Sequence, residues 1–242
     1  MSATRRDTVR WTPASTNKEQ VGAMLEAVIF DNDGLLVDSE PVWDAARAAM
    51  AKENGQSWDE NDHKAVMGVS TQEWADYMIQ RLQLDMPVNA VVQHIIDRMS
   101  AMYRERIPFL PGATAAVERS AAHLPTAIAS GSHPALLEIV TGDKALRPHL
   151  KLVVSADEVA RGKPHPDVYL EAAKRLGVNP ANCLCLEDSG NGILSGKAAG
   201  MTVIAVPDER FPPAQEKLDQ ADYVLKSLGE FPALFEKLRA TS

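Results

Sequence analysis

The chain has 242 residues, 45% of them hydrophobic and 24% charged, which is ordinary for a globular protein of one large domain or two small ones. No stretch approaches the roughly 20 consecutive apolar residues of a transmembrane helix, so we expect no membrane partner. The net charge of −8 argues against a nucleic-acid partner, because proteins that bind phosphate backbones usually carry basic patches.

The N-terminal segment, residues 1–23, is rich in Ser, Thr, Arg and Pro. It lacks the apolar core of a secretory signal peptide, so we expect a disordered tail on a cytoplasmic protein. The fold is therefore predicted to begin at about residue 24.

The first predicted strand is the apolar run at residues 25–30. The stretch after it, residues 41–107, shows helical periodicity in three segments and no convincing strand. These segments are residues 43–53, 71–82 and 90–106. We therefore predict an all-helical cap domain, inserted into a core that consists of residues 24–40 and 108–242.

The rest of the chain alternates between strand and helix patterns. The further strand-length apolar runs are residues 125–129, 183–186 and 201–206. The helical patterns are residues 113–123, 134–141, 167–176 and 192–199, and Gly177 and Gly200 stand where helix C-caps belong. This alternation predicts an α/β fold, a Rossmann-like doubly wound parallel sheet. Cys183 and Cys185 lie inside one run and are expected to be buried thiols, neither a disulfide nor a zinc site.

Polar residues follow the predicted strands where they end. They are Asp31 and Asp33 after the first strand, Ser130 after the second, Glu187 and Asp188 after a later one, and Lys163 in a loop. Because ligand sites of open α/β sheets lie at the carboxyl ends of the strands, we expect these residues to converge. Two acidic clusters brought together repel unless a cation neutralises them, and an all-oxygen set suits Mg²⁺ better than zinc. The sequence therefore predicts a magnesium site.

The same residues predict a cavity for a phosphoryl group, built from the cation, Lys163, the Ser130 hydroxyl and free backbone N–H groups of a turn at Gly34. In such a cavity Asp31 can attack phosphorus to give an aspartyl-phosphate. Asp33 is then placed to protonate the leaving oxygen and to deprotonate water, provided that the site favours its acid form. An isolated Asp-x-Asp-Gly is often only a turn or part of a calcium loop, so the prediction depends on all of these segments meeting at one edge.

The ten residues from Asp31 to Glu40, DNDGLLVDSE, resemble the first motif of the haloacid dehalogenase-like superfamily. Ser130, Lys163 and the pair Glu187-Asp188 resemble its second, third and fourth motifs in the same order. The resemblance extends from about Leu25 to the C-terminus, and the gap between the first two motifs resembles that of the subgroup with a helical cap. It implies a Mg²⁺-dependent phosphatase that acts on small phosphorylated metabolites, with sugar phosphates leading.

The resemblance also implies a role for each matching residue. Asp31 would be nucleophile and metal ligand, and Asp33 the general acid/base, with its main-chain carbonyl on the metal. Asp188 would be a further metal ligand, with Glu187 assisting directly or through water. The residues that would hold the phosphoryl group are Gly34, Leu35, Ser130, Gly131 and Lys163. The acid at position 33 separates the chain from the true dehalogenases.

Within the capped subgroup the chain resembles sugar-phosphate phosphatases of the 2-deoxyglucose-6-phosphatase type and β-phosphoglucomutase. Thr71 stands where the mutases have an arginine that grips the second phosphate, and Trp43 replaces a mutase histidine, so hydrolysis is favoured and a mutase is the alternative. A binding-only member is a second alternative, and we expect a monomer or weak dimer. The candidate specificity residues are Trp43, Ser70, Thr71, Trp74, Ser132 and His133. The two tryptophans could instead pack the cap, and His133 could simply begin a helix.

Overall fold

A computed structural model describes residues 24–66 and 71–240, and the predicted tail and Ser70 lie outside the described residues. Within these ranges one parallel sheet has the strand order β3-β2-β1-β4-β5-β6. The strands are β1 (Ala27–Phe30), β2 (Thr126–Ser130), β3 (Leu152–Ser155), β4 (Cys183–Glu187), β5 (Thr202–Ala205) and β6 (Tyr223–Val224). The predicted α/β fold with a doubly wound parallel sheet is confirmed.

The central strands read as continuous apolar runs because both faces of the sheet are buried. Alternate residues of β1 enter two separate cores, with Val28 and Phe30 in one and Ala27 and Ile29 in the other. The second core also contains the two cysteines of β4, which are buried free thiols as predicted. Sequence reasoning missed β3 and β6. The apolar run of β3 is only three residues long, Leu152 to Val154, and β6 has just two residues, so both are shorter than the runs that were predicted as strands.

Six helices accompany the strands of the core in the described part of the chain. They are α5 (Ala113–Ala121), α6 (Pro134–Gly142), α7 (Asp167–Leu176), α8 (Gly190–Ala198), α9 (Gln215–Leu218) and α10 (Phe231–Ala240). Gly177 ends α7 with φ 73°, a left-handed C-cap as predicted, and Gly200 follows α8 with φ 79°. None of the described helices has the length and apolarity that crossing a bilayer requires.

Four helices occupy the described residues between β1 and α5. They are α1 (Glu40–Glu53), α2 (Glu60–Val66), α3 (Thr71–Leu82) and α4 (Val88–Glu105). Helix α2 was not predicted, and one of its residues, Asp62, explains why so short a helix holds its place. The Asp62 carboxylate is buried and accepts hydrogen bonds from Tyr77 Oη and Arg81 Nε, both at 2.8 Å. These bonds fasten α2 to α3.

The two connections between this helical insert and the sheet run side by side. Leu110 N donates to Leu36 O at 2.9 Å, and Asp38 N donates to Pro108 O at 2.9 Å. The insert therefore leaves and rejoins the core at one point, next to the carboxyl end of β1.

Strand β1 lies at the switch point of the sheet, because its two neighbours are β2 on one side and β4 on the other. Phe30 pairs with Leu186, and Asp31 N donates to Leu186 O at 3.0 Å. The first residue after β1 therefore lies beside the end of β4, in the crevice where ligands of such sheets bind.

Candidate active site

Lys163 bridges two carboxylates, that of Asp31, which follows β1, and that of Glu187, the last residue of β4. Its Nζ donates to Asp31 Oδ1 at 2.5 Å, to Glu187 Oε1 at 2.6 Å and to Ala129 O at 3.2 Å. Side chains that are 132 and 24 residues away from Lys163 in the chain thus meet at its ammonium group. The structure brings these three predicted residues together at the carboxyl edge of the sheet.

Glu187 is fully buried and its carboxylate is held on several sides. Besides Lys163, Tyr169 Oη donates to its Oε1 at 2.6 Å, and the backbone N and Oγ of Ser189 donate to its Oε2 at 3.3 and 3.1 Å. A Cβ on Gly192 would lie 1.9 Å from this carboxylate, so only glycine leaves the space that it occupies. Sequence reasoning missed Tyr169, because a buried aromatic on the apolar face of α7 has the pattern of an ordinary core residue.

The donor atoms for a divalent cation come from Asp31, Glu187 and Asp188. One carboxylate oxygen of each lies within 4.8 Å of the others, and Asp188 Oδ1 is buried without a hydrogen-bond partner. Burial raises the pKa of Asp31 to about 7, with Glu187 and Asp33 adding to the shift and Lys163 opposing it, and burial likewise raises the pKa of Asp188 well above its usual value. A single ammonium thus leaves these carboxylates under-compensated. An all-oxygen set of this kind fits Mg²⁺.

The side chain of Asp33 lies outside that cluster and turns toward two serines. Its Oδ2 accepts a hydrogen bond from Ser132 Oγ and lies 3.5 Å from Ser130 Oγ. Burial raises the pKa of Asp33, although a hydrogen bond from Ser39 opposes the shift. The raised pKa favours the protonated form that a general acid needs. Of the four predicted metal residues, Asp33 alone has a carboxylate that is not part of the acidic cluster.

The turn after β1 requires glycine at position 34. Gly34 has φ 75°, and a Cβ there would lie 2.2 Å from Asp188 Oδ2. Its N–H donates to Val37 O at 2.9 Å, so this amide is not one of the free backbone N–H groups expected at the turn. Leu35 is buried, whereas Gly131 is exposed and lines the site.

Two cavities meet at the site. The first, of about 260 Å³, lies at the sheet edge and contains Asp31, Lys163 and Asp188. The second, of about 320 Å³, lies between the helical insert and the core, and both cavities are lined by Asp33 and Gly131. Five of the six candidate specificity residues line the second cavity. They are Trp43, Thr71, Trp74, Ser132 and His133.

Three of these candidates also have the structural roles that the sequence left open. The Trp43 and Trp74 rings pack edge to face with centroids 5.8 Å apart, and both also line the cavity. His133 Nδ1 accepts from Ala135 N at 3.2 Å and so caps α6. Arg47, which no motif indicated, lines the same cavity one helical turn after Trp43.

Comparisons with known proteins agree with this geometry. The family model of haloacid dehalogenase-like hydrolases matches residues 25–200. Hexitol phosphatase B of Escherichia coli (strain K12) is 38% identical over 212 residues, which cover 86% of this chain and 94% of that protein. The bifunctional riboflavin kinase/FMN phosphatase of Arabidopsis thaliana is 35% identical over 204 residues, which cover 83% of this chain and 53% of that protein, so the chain spans about half of its length.

A solved structure has the same architecture. The crystal structure of CbbY from Rhodobacter sphaeroides in complex with phosphate superposes with a TM-score of 0.73 at 26% sequence identity. The superposition covers 86% of this chain and 96% of that one. The similarity therefore includes the helical insert as well as the sheet.

Proposed function

The chain belongs to the haloacid dehalogenase-like hydrolase family, and we propose that it is a Mg²⁺-dependent phosphatase that hydrolyses small phosphate monoesters through an aspartyl-phosphate on Asp31. The observation that carries this proposal is the meeting of Lys163 with Asp31 and Glu187 at the switch point of the sheet, 2.5 and 2.6 Å from its Nζ. Sugar phosphates are the leading substrate class, in agreement with the similarity to hexitol phosphatase B.

In the first half of the reaction, a carboxylate oxygen of Asp31 attacks phosphorus and the ester bond breaks. Asp33 gives its proton to the leaving alcohol oxygen, and the phosphoryl group is then bound to Asp31. Lys163 lies beside the attacking carboxylate and offsets the charge of the phosphoryl oxygens. The raised pKa of Asp33 suits the proton donor.

In the second half, Asp33 takes a proton from water, the resulting hydroxide attacks phosphorus, and inorganic phosphate leaves Asp31 in its original form. Asp31, Glu187 and Asp188 would hold Mg²⁺, together with the main-chain carbonyl of Asp33. When bound, the ion supplies positive charge to the carboxylates and to the phosphoryl oxygens.

We propose that residues 41–107 act as a cap domain over a core of residues 24–40 and 108–242. The paired connections at Leu36 and Leu110 support a single point about which the cap could close. Closure would exclude water from the phosphoryl group while the alcohol portion of the substrate occupies the cavity beneath Trp43 and Trp74.

The test is phosphate release from p-nitrophenyl phosphate and from a panel of sugar phosphates, with and without Mg²⁺. We expect turnover that requires the metal, whereas a binding-only protein gives none. Hexose 1-phosphates separate hydrolysis from mutase chemistry. We expect inorganic phosphate without accumulation of the 6-phosphate, and accumulation of that isomer would replace the phosphatase with a mutase.

A further inference from the structure

Arg47 is a buried cation without a counter-ion. It lies on α1 and is 5% exposed, and its Nε and Nη1 have no hydrogen-bond partner. In residues 24–66 and 71–240 no carboxylate lies within ion-pair distance of it. Its Cζ lies 5.0 Å from the Trp43 ring centroid and 5.5 Å from that of Trp74. The guanidinium therefore lies against two indole rings while Nε and Nη1 make no hydrogen bond.

Neither of the two carboxylates that influence Arg47, those of Glu40 and Asp44, lies within ion-pair distance of its guanidinium. Asp44 Oδ1 accepts from Trp58 Nε1 at 3.1 Å and lies 3.1 Å from His63 Nδ1, and Glu40 Oε2 lies 3.8 Å from His63 Nε2. Burial lowers the pKa of Arg47 to about 10, because these two carboxylates offset its desolvation only in part. An unpaired buried charge lowers the stability of the folded protein, and a ligand that supplies the opposite charge would remove this cost.

The guanidinium lies where a ligand can become that partner. Arg47 lines the cavity of about 320 Å³ that also contains Asp33, the proposed proton donor. The two indole centroids are only 5.8 Å apart, so the rings contact the guanidinium from neighbouring directions and do not enclose it. Carboxylate and phosphate oxygens match this planar fork in pairs.

Given the proposed phosphatase function, we propose that Arg47 is a specificity residue that binds a second anionic group of the substrate, a carboxylate or a second phosphate. Glu40 lines the same cavity, and its Oε2, although 3.8 Å from His63 Nε2, accepts no hydrogen bond from the described residues, so it accepts a hydroxyl of the substrate rather than a second anion. The preferred substrates are therefore hydroxylated phosphate monoesters with an anionic group away from the ester, such as sugar-acid phosphates or sugar bisphosphates.

Arg47 lies near Thr71, the position at which the mutases have an arginine that grips the second phosphate. Thr71 and Arg47 line the same cavity, so α1 supplies a guanidinium that the sequence around Thr71 lacks. The charge needed to hold a second anionic group is thus available from a different helix.

The experiment measures kcat/KM for two matched substrate pairs. One pair is 6-phosphogluconate and glucose 6-phosphate, and the other is fructose 1,6-bisphosphate and fructose 6-phosphate. We expect the wild type to prefer the anionic member of at least one pair by about tenfold or more, the effect of a charge-assisted hydrogen bond. The first pair reports a carboxylate site and the second a phosphate site.

Arg47→Met should reduce that preference to less than about threefold, mainly through KM, because it keeps the stem but removes the fork. Arg47→Lys should retain part of the preference for the anionic substrate. If the Met variant does not fold, the Lys variant is compared with the wild type instead. The matched control is Arg104→Met, which removes the same charge from an exposed position on α4 and should leave the preference at the wild-type value.

A wild type that favours the neutral member of both pairs overturns the inference, as does a preference that the Arg47 variants leave intact. In both cases phosphate release still supports the phosphatase. Failure of the wild type to hydrolyse any of the four sugar phosphates or p-nitrophenyl phosphate counts against the phosphatase itself.

Discussion

The substitution Gly192→Ala should destabilise the protein, although replacing a helical glycine by alanine normally stabilises a helix. Gly192 is the third residue of α8, and its φ is not in the left-handed region. At such a position alanine normally stabilises by about 0.5–1 kcal/mol, because it restricts the unfolded chain and favours the helix. Here the new Cβ would lie 1.9 Å from the Glu187 carboxylate, so that side chain must move.

The cost follows from the contacts that Glu187 would lose. Its carboxylate accepts from Lys163 at 2.6 Å, from Tyr169 at 2.6 Å and from Ser189 Oγ at 3.1 Å. Each hydrogen bond to a charged group contributes about 1.5–3 kcal/mol, so the loss of two of them exceeds the helix gain. We expect a net loss of about 3 kcal/mol in the free energy of unfolding, which lowers Tm by roughly 10 °C in a protein of this size.

The assay is thermal unfolding followed by circular dichroism, with Gly142→Ala as the matched control. Gly142 ends α6, and a Cβ there would meet no atom within 4 Å. The control should have a Tm equal to or above that of the wild type. Equal Tm values for the two variants would show that the Glu187 side chain can move without loss of stability and would refute the reasoning.

Asp31→Asn should abolish phosphate release while the fold is retained, because the amide cannot attack phosphorus, and activity near the wild-type rate would exclude the covalent route. Chelation by EDTA should stop turnover and added Mg²⁺ should restore it, whereas full activity in EDTA would contradict the metal dependence. Asp62→Asn should lower the free energy of unfolding by about 1–3 kcal/mol, because an amide oxygen replaces the carboxylate that accepts from Tyr77 and Arg81. Urea unfolding would measure the Asp62→Asn loss, and an unchanged midpoint would mean that α2 is held by other contacts.

Sequence reasoning worked best for residues whose positions depend on the strands. Asp31 follows β1 and Glu187 ends β4, and the parallel sheet brings the carboxyl ends of both strands to one edge. The helix bounds of α7 agree with the predicted residues 167–176, because an amphipathic pattern and a C-cap glycine are both local signals. Helix α2 has a local signal at its start only, where Asp59 Oδ1 accepts from Asn61 N and Asp62 N, and its place also depends on the distant partners of Asp62.

The amino-acid sequence by itself determined the α/β class, the order of the motifs and the acidic edge. Those features depend on apolar runs and on the residues next to them, which are neighbours along the chain. Only the tertiary structure decided that Tyr169 holds Glu187, that the Gly34 amide is already engaged and that Arg47 lines the cavity without a counter-ion. Each of these depends on which side chains meet across elements far apart in sequence, and packing in three dimensions settles that.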